Sequence, residues 1–183
     1  MKTYKNIVLI GMPGVGKSTA GVIAAKKLGL RFEDSDLLIQ TKEQKLLKQI
    51  IEEKGIDGFL NVEENVLLDI KETGFLIATG GSAVYSSKAM DYLRRDCLII
   101  YLHLDLDHLQ SRLGDLKNRG VVLRPGQTLS DIYDERIPLY KKYADIEIDE
   151  TGLNIEETVA LICERAFIYN YSQKAYLTNS WHP

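Results

Sequence analysis

Cysteine is scarce in this chain: Cys97 and Cys163 are the two in 183 residues, each inside an apolar run and without CxxC spacing. A disulfide framework and a thiolate metal site are both disfavoured, and buried reduced thiols are the expectation. Histidine is almost as sparse, and His103, His108 and His182 fall in no metal-ligand spacing, so structural or solvated roles are expected. Long hydrophobic runs are missing. The first apolar run, from Asn6 to Ile10, stops at Gly11, too short for a signal h-region or a membrane span. Neither sign of charge dominates, since 23 Lys plus Arg stand against 26 Asp plus Glu for a net charge of -3. That balance offers no electrostatic footprint for nucleic acid or an anionic membrane, so any anion must be held by a local site. These absences lead us to expect a cytoplasmic protein with neither nucleic acid nor membrane as partner. No Pro- or Ser-rich linker and no internal repeat divides the chain, which is long enough for one domain to bury roughly two-thirds of its unfolded surface.

What is present is a soluble-protein composition, 45% hydrophobic and 27% charged, with short β-branched runs alternating with helix-period stretches. Five strands are predicted: Asn6 to Ile10, Arg31 to Asp34, Phe75 to Ala78, Cys97 to Leu102 and Asp145 to Ile148. Helices are predicted at Lys17 to Leu28, Ser35 to Ile70 in two or three pieces, Ser87 to Arg94, Asp105 to Leu116, Leu129 to Tyr143 and Ile155 to Phe167. This βαβ alternation predicts an α/β fold, a parallel sheet covered by helices. The segment from Ile168 to Pro183 carries Tyr169, Tyr171, Tyr176 and Trp181 without a clear period, and reads equally as an extra strand, a packed arm or a frayed end.

Directly after the first strand stands Gly11-Met-Pro-Gly-Val-Gly-Lys-Ser18, a full GxxxxGK[ST] match leading into a helical pattern at Thr19. Gly11, Gly14 and Gly16 permit the backbone angles and close approach that a phosphate requires, and a strand-to-helix loop turns successive N–H groups toward one point. Lys17 can then reach the β- and γ-phosphates of a nucleotide, and the Ser18 hydroxyl can ligate Mg²⁺.

The second strand closes on Phe32-Glu33-Asp34-Ser35-Asp36. Two carboxylates two residues apart in an extended chain point the same way, so Asp34 could serve Mg²⁺ through a water while Asp36 meets a substrate hydroxyl. The same string is also an ordinary helix N-cap; joined to the phosphate loop, the site reading is favoured. After the third strand, Gly80 and Gly81 let backbone amides approach a ligand, or simply form a tight turn. Arg112, Lys117, Arg119 and Arg124 surround a Gly- and Pro-containing stretch that reads either as a lid over phosphates or as solvated charge. Arg136 is a natural bidentate partner for a carboxylate or phosphate, or for an acid on its own helix.

Taken together these residues resemble the shikimate kinase family of small P-loop kinases, over Asn6 to roughly Phe167. The resemblance rests on GMPGVGKST from Gly11 to Thr19, FEDSD from Phe32 to Asp36, ATGGS from Ala78 to Ser82, Arg112 with Arg119, and ERIPLYKKYAD from Glu135 to Asp145. It implies a three-layer P-loop fold with a five-stranded parallel sheet in the order 2-3-1-4-5. Residues 1–167 would form one kinase domain, with a substrate-binding helical region near 35–60 and a lid near 113–126, and 168–183 a tail of unknown role. It implies a monomer that uses ATP and Mg²⁺ to phosphorylate a hydroxyl of a small molecule, with shikimate the leading candidate. Gly11, Gly14, Val15, Gly16, Lys17, Ser18 and Thr19 would hold the nucleotide with Arg112 beside the adenine, and Ser18 and Asp34 would serve the metal. Lys17, Asp36 and Arg119 would be catalytic, while Asp36, Gly80, Gly81 and Arg136 would bind the acceptor.

Three departures bear on the acceptor. The family's Gly-Glu-x-x-Phe-Arg-x-x-Glu stands here as Gly55-Ile-Asp-Gly-Phe-Leu60-Asn-Val-Glu63, so Leu60 replaces an arginine that shares the substrate carboxylate. Loss of one charge-assisted partner costs about 1.5 to 3 kcal/mol, roughly ten- to a hundredfold in affinity, unless another cation such as Lys54 compensates. The usual third glycine is Ser82, and the lid's usual Arg-Pro is Arg119-Gly120. A kinase of a related cyclitol or hydroxy acid is therefore the nearest alternative, and a binding module without turnover the next. A guanine-reading NKxD string is absent, as is an arginine-rich clamp for a second nucleotide between Leu37 and Gly74.

Overall fold

The chain's architecture comes from a computed structural model that describes residues 4–113 and 121–178, with side chains described to residue 112 in the first stretch and 169 in the second. Five strands form one parallel sheet in the order β2-β3-β1-β4-β5: β1 Asn6–Ile10, β2 Arg31–Asp34, β3 Phe75–Ala78, β4 Cys97–His103 and β5 Ile146–Asp149. Strand β1 lies at the centre, with Val8 opposite Ile77 on β3 and Ile99 on β4. Its neighbours cover both edges and helices cover both faces. All five of its residues are therefore buried, which a run of Asn-Ile-Val-Leu-Ile can satisfy because nothing in it after Asn6 needs water. Strand β2 is an edge and reads accordingly, Arg-Phe-Glu-Asp, with none of its residues fully buried.

Seven α-helices are described: α1 Lys17–Leu28, α2 Ser35–Glu43, α3 Leu47–Leu68, α4 Ser87–Asp96, α5 Leu106–Leu113, α6 Leu129–Tyr143 and α7 Ile155–Thr178. Helix α1 presents Ala20, Gly21, Ala24 and Ala25 as a small-residue face, which lets it press close to the sheet. A Cβ at Gly21 would stand 2.9 Å from Phe32 Cε2 and 3.1 Å from Leu76 Cδ2. Gly29 ends that helix in the left-handed conformation and donates its N–H back to the last carbonyls. Helix α3 breaks its regular backbone at Gly55, where φ is 70° and ψ 176°, a combination glycine adopts without strain. Beside the main core, Ile39, Ile50, Phe59, Val66 and Val122 form a small second cluster. It ties α2 and α3 to the segment after residue 120.

The predicted strands are present, with β4 one residue longer and β5 displaced by one toward the C-terminus. The segment after Phe167 is not a strand as far as Thr178: the backbone of α7 continues through it. Its lack of apolar period concealed a helix whose continuation needs only backbone hydrogen bonds. Neither Cys97 nor Cys163 forms a disulfide, and Cys97 opens β4 within the core. His103 and His108 have structural partners, His103 with Tyr133 and Asp149, His108 with Asp105; His182 lies outside the described residues.

Candidate active site

A cavity of about 310 Å³ opens at the C-terminal ends of β1, β2 and β3, where parallel sheets bind ligands. At one end lies the loop from β1 to α1. Gly11, Gly14 and Gly16 all have positive φ, at 148°, 82° and 110°. Gly11 also passes so close to β4 that a Cβ would sit 2.4 Å from the Leu102 carbonyl oxygen. No side chain caps the first turn of α1, so its leading amides, with Ser18 and Thr19 on the cavity wall, remain available to an anion. Lys17 is only 6% exposed. Its Nζ donates to the carbonyls of Gly11 at 2.8 Å and Met12 at 2.9 Å. Burial pushes its pKa down to about 8, against the opposing pull of Asp36 and Asp34.

The acidic pair performs two tasks at once. Asp34 ends β2; its Oδ1 accepts the N–H of Asp36 and so caps α2, while its Oδ2 accepts the Ser18 hydroxyl at 2.6 Å. Cap and site are thus compatible, one oxygen for each. Asp36 is not in extended chain as expected but in the first turn of α2, and the turn rather than strand alternation brings it to the cavity wall. Its pKa is pushed up to about 6, first by burial and then by the Asp34 charge.

The opposite end is built from α3, α6 and the turn after β3. Gly80 and Gly81 are required by close packing. A Cβ on Gly80 would stand 2.3 Å from Glu63 Oε1 and 2.8 Å from Asp36 Oδ1, and one on Gly81 would stand 2.6 Å from Pro13 Cδ. Arg136, 1% exposed, donates from Nε to the Tyr85 hydroxyl at 3.0 Å and from Nη2 to the Val122 carbonyl at 2.8 Å. It lines the cavity, and its charge is felt by the buried Glu63 without a salt bridge to it being described. Phe59 and Leu47 supply apolar wall, and Val121 and Val122 cover the same space.

Arg112 donates from Nη1 to the Val15 carbonyl at 3.1 Å, bringing the end of α5 to the phosphate loop. Arg124 pairs on the surface with Asp57 at 3.5 Å. Arg119 lies outside the described residues. Lys54, the candidate substitute for the missing cation, is bound to Glu43 and does not line the cavity. Leu60 does not line it either and packs on the second cluster.

Two buried acids were given no role by the sequence reading. Glu63 is 2% exposed; its Oε2 accepts the Ser82 hydroxyl at 2.7 Å, while its Oε1 has no partner among the described residues. Burial pushes its pKa up to about 7 despite that bond. The available signals were its place as the closing Glu of the Gly55–Glu63 motif and its setting on α3 between Val62, Val66 and Leu67. Glu150, directly after β5, is also buried and also pushed up to about 7 by desolvation; a lone acid at a strand end gave no cue.

A parallel sheet in the order 2-3-1-4-5, with a glycine phosphate loop after its central strand, defines a P-loop kinase. The comparisons narrow the class. A family model described as shikimate kinase matches residues 13–166. A shikimate kinase of Pseudomonas paraeruginosa is 37% identical over 147 residues, 79% of this chain and 86% of that protein. One from Thermodesulfovibrio yellowstonii is 35% identical over 161 residues, 86% of this chain and 92% of its own. Among solved structures, shikimate kinase from Acinetobacter baumannii in complex with shikimate superposes with a TM-score of 0.80 at 31% identity, covering 94% of this chain and 96% of that one. This chain therefore belongs to the shikimate kinase family, and it is a phosphotransferase with a hydroxyl group as acceptor. Among the described residues no helix is long and apolar enough to cross a membrane.

Proposed function

We propose that this chain transfers the γ-phosphoryl group of ATP to the 3-hydroxyl of shikimate. The observation that carries the reading is a single cavity reaching from the phosphate loop at Lys17 to the buried Arg136, within a chain of this family. Such a cavity accommodates a polyphosphate at one end and a small carboxylate at the other.

The geometry supports the following division of labour. Amides of residues 14–19 cradle phosphate oxygens, and Lys17 exchanges its two carbonyl partners for them. With its pKa near 8 it is mostly charged at neutral pH, and its ammonium neutralises charge on the moving phosphoryl. Arg119 joins it by the family motif. Arg112 lies beside the base. Asp36, ionised at neutral pH yet more basic than an ordinary aspartate, accepts the acceptor's hydroxyl proton as the new O–P bond forms. Backbone at Gly80 and Gly81 admits the acceptor where a side chain would exclude it, and Arg136 takes its carboxylate.

Ser18 Oγ and Asp34 Oδ2, 2.6 Å apart at the end of the loop, are the hard oxygen donors Mg²⁺ prefers, with phosphates and waters completing its shell. When bound, Mg²⁺ draws charge from the phosphates and holds them in line. The protein acts as a monomer.

Coupled ADP release with Mg-ATP and shikimate, against an ATP-only control, tests the reading. Shikimate-dependent turnover is expected, with Asp36→Asn losing turnover while retaining ATP binding. Turnover only with a related cyclitol or hydroxy acid would move the acceptor assignment, consistent with Arg136 being the one arginine on the cavity wall among the described residues.

A further inference from the structure

Glu150 stands behind the phosphate loop, 3% exposed, and the roles assigned above make no use of it. Its backbone is clamped: its N–H donates to the His103 carbonyl at 2.9 Å, and its own carbonyl accepts from Leu153 at 2.9 Å. The side chain has little freedom to leave. Its Oε2 lies 3.6 Å from Arg112 Nη1, the same nitrogen that donates to the Val15 carbonyl of the loop. One buried carboxylate thus joins the turn after β5, the end of α5 and the apex of the phosphate loop. Helix α5 is held to that turn at its other end too, where Asp105 caps the helix and accepts the Thr151 hydroxyl.

The described charged groups that face Glu150 are Arg112 from α5, Lys17 from the head of α1, and Asp149 on its own strand, which is itself paired with His103. Both cations are the ones a nucleotide recruits, Lys17 for its phosphates and Arg112 for the face of its base. A bound nucleotide therefore competes for the charge of both cations while Arg112 stays at the loop, and adds negative charge in front of Glu150. A carboxylate in that position cannot move to water, so it neutralises by taking a proton.

We propose that Glu150 is a positioning residue that holds Arg112 at the phosphate loop, and that it takes up a proton when nucleotide binds. The proposal rests on the nucleotide reading of the loop. It makes nucleotide affinity rise as pH falls from 8 to 6.5, roughly five- to tenfold, because the bound state holds the proton and the free state above neutrality does not. The free enzyme's Glu150, already raised to about 7, is mostly ionised at pH 8 and half protonated near neutrality, which places the effect in that range.

The test is calorimetric titration of MgADP into the full chain at pH 7.8 in two buffers of different ionisation enthalpy. Wild type is expected to take up roughly 0.5 to 0.9 more protons than Glu150→Gln, any uptake by Lys17 being common to both. Glu150→Gln keeps an oxygen for Arg112, so its MgADP affinity should change only about twofold between pH 8 and 6.5, the part that Lys17 contributes. Glu150→Ala removes that oxygen and should raise the KM for ATP severalfold at nearly constant kcat, an effect that glutamine rescues. Equal proton uptake in wild type and Glu150→Gln, or an unchanged KM in Glu150→Ala, overturns the proposal and leaves the kinase reading standing. Absence of MgADP binding to wild type overturns both.

Discussion

The two ends of the cavity are made of different materials. The nucleotide end is chiefly backbone: three glycines with positive φ and the open first turn of α1, contributed by one contiguous segment. The acceptor end is chiefly buried side-chain charge, in which Asp36 from α2, Glu63 from α3 and Arg136 from α6 converge on the glycines after β3. Amide dipoles need no counter-ion and carry no titration, so the pH sensitivity of the first end comes from Lys17 and Glu150 rather than from the loop itself. The second depends on desolvated charges that wait for partners, and every such charge subtracts from stability until a ligand arrives.

The largest expected effect breaks the first end. Lys17→Ala removes the one charged side chain in the loop, and shikimate-dependent ADP release should fall at least a hundred- to a thousandfold. Because Lys17 is desolvated rather than ion-paired, its removal should leave the melting temperature unchanged or higher. Near-normal turnover would remove the phosphate-loop assignment. Next comes the acceptor end, where Arg136→Gln deletes that end's buried cation while leaving amide donors for Tyr85 and Val122. Shikimate KM should rise roughly ten- to a hundredfold with ATP affinity retained, as steady-state kinetics on both substrates would read. A change confined to ATP would mean that Arg136 serves the wrong end.

This contrast also explains what was legible in the sequence. The phosphate loop, β1 and α1 are a local unit, and Gly11, Gly16 and Gly29 announce their own turns, so their bounds followed from the string alone. Asp36 was found for an incomplete reason, since a turn of α2 rather than strand alternation aims it. Glu63, though named as the close of the Gly55–Glu63 motif, and Glu150 were given no role because nothing local distinguishes a buried acid from a solvated one. Their burial follows from Ser82 and Arg112, 19 and 38 positions distant in sequence respectively. The helix beyond Phe167 was missed for the converse reason: polar residues without period can still continue a helix that a packed segment has nucleated.

A third experiment sharpens the electrostatic half of the contrast. Glu63 binds its proton more tightly folded, at about 7, than at its ordinary value of 4.5. A raised carboxylate imposes no penalty on the folded state below 4.5, an increasing one as pH climbs from 4.5 to 7, and its full penalty above 7. That gap corresponds to about 3 kcal/mol as an upper bound, which for a domain of this size is several degrees. Glu63→Gln should therefore melt several degrees higher than wild type at pH 8 and nearly level with it at pH 4.5. Equal gains at both values would mean that the glutamine improves packing and that Glu63 is not held as a strained charge.

The smallest expected effect concerns the missing arginine. Leu60 and Glu63 lie three positions apart on α3, hence on one face, and Glu63 Oε1 is a buried acceptor without a partner among the described residues. An arginine introduced by Leu60→Arg has the length to reach that oxygen and, past it, the cavity edge. It should draw Glu63 toward its ionised form and reduce the pH-dependent melting difference just described. The shikimate KM should fall only a few-fold, because the new guanidinium would be shared between Glu63 and the substrate, and because it gives up Leu60's packing in the α2–α3 cluster. A large fall in KM with no change in the pH dependence would mean the opposite order of preference, with the arginine facing the substrate alone. Glu63 would then be held by Ser82, whatever residue stands at position 60.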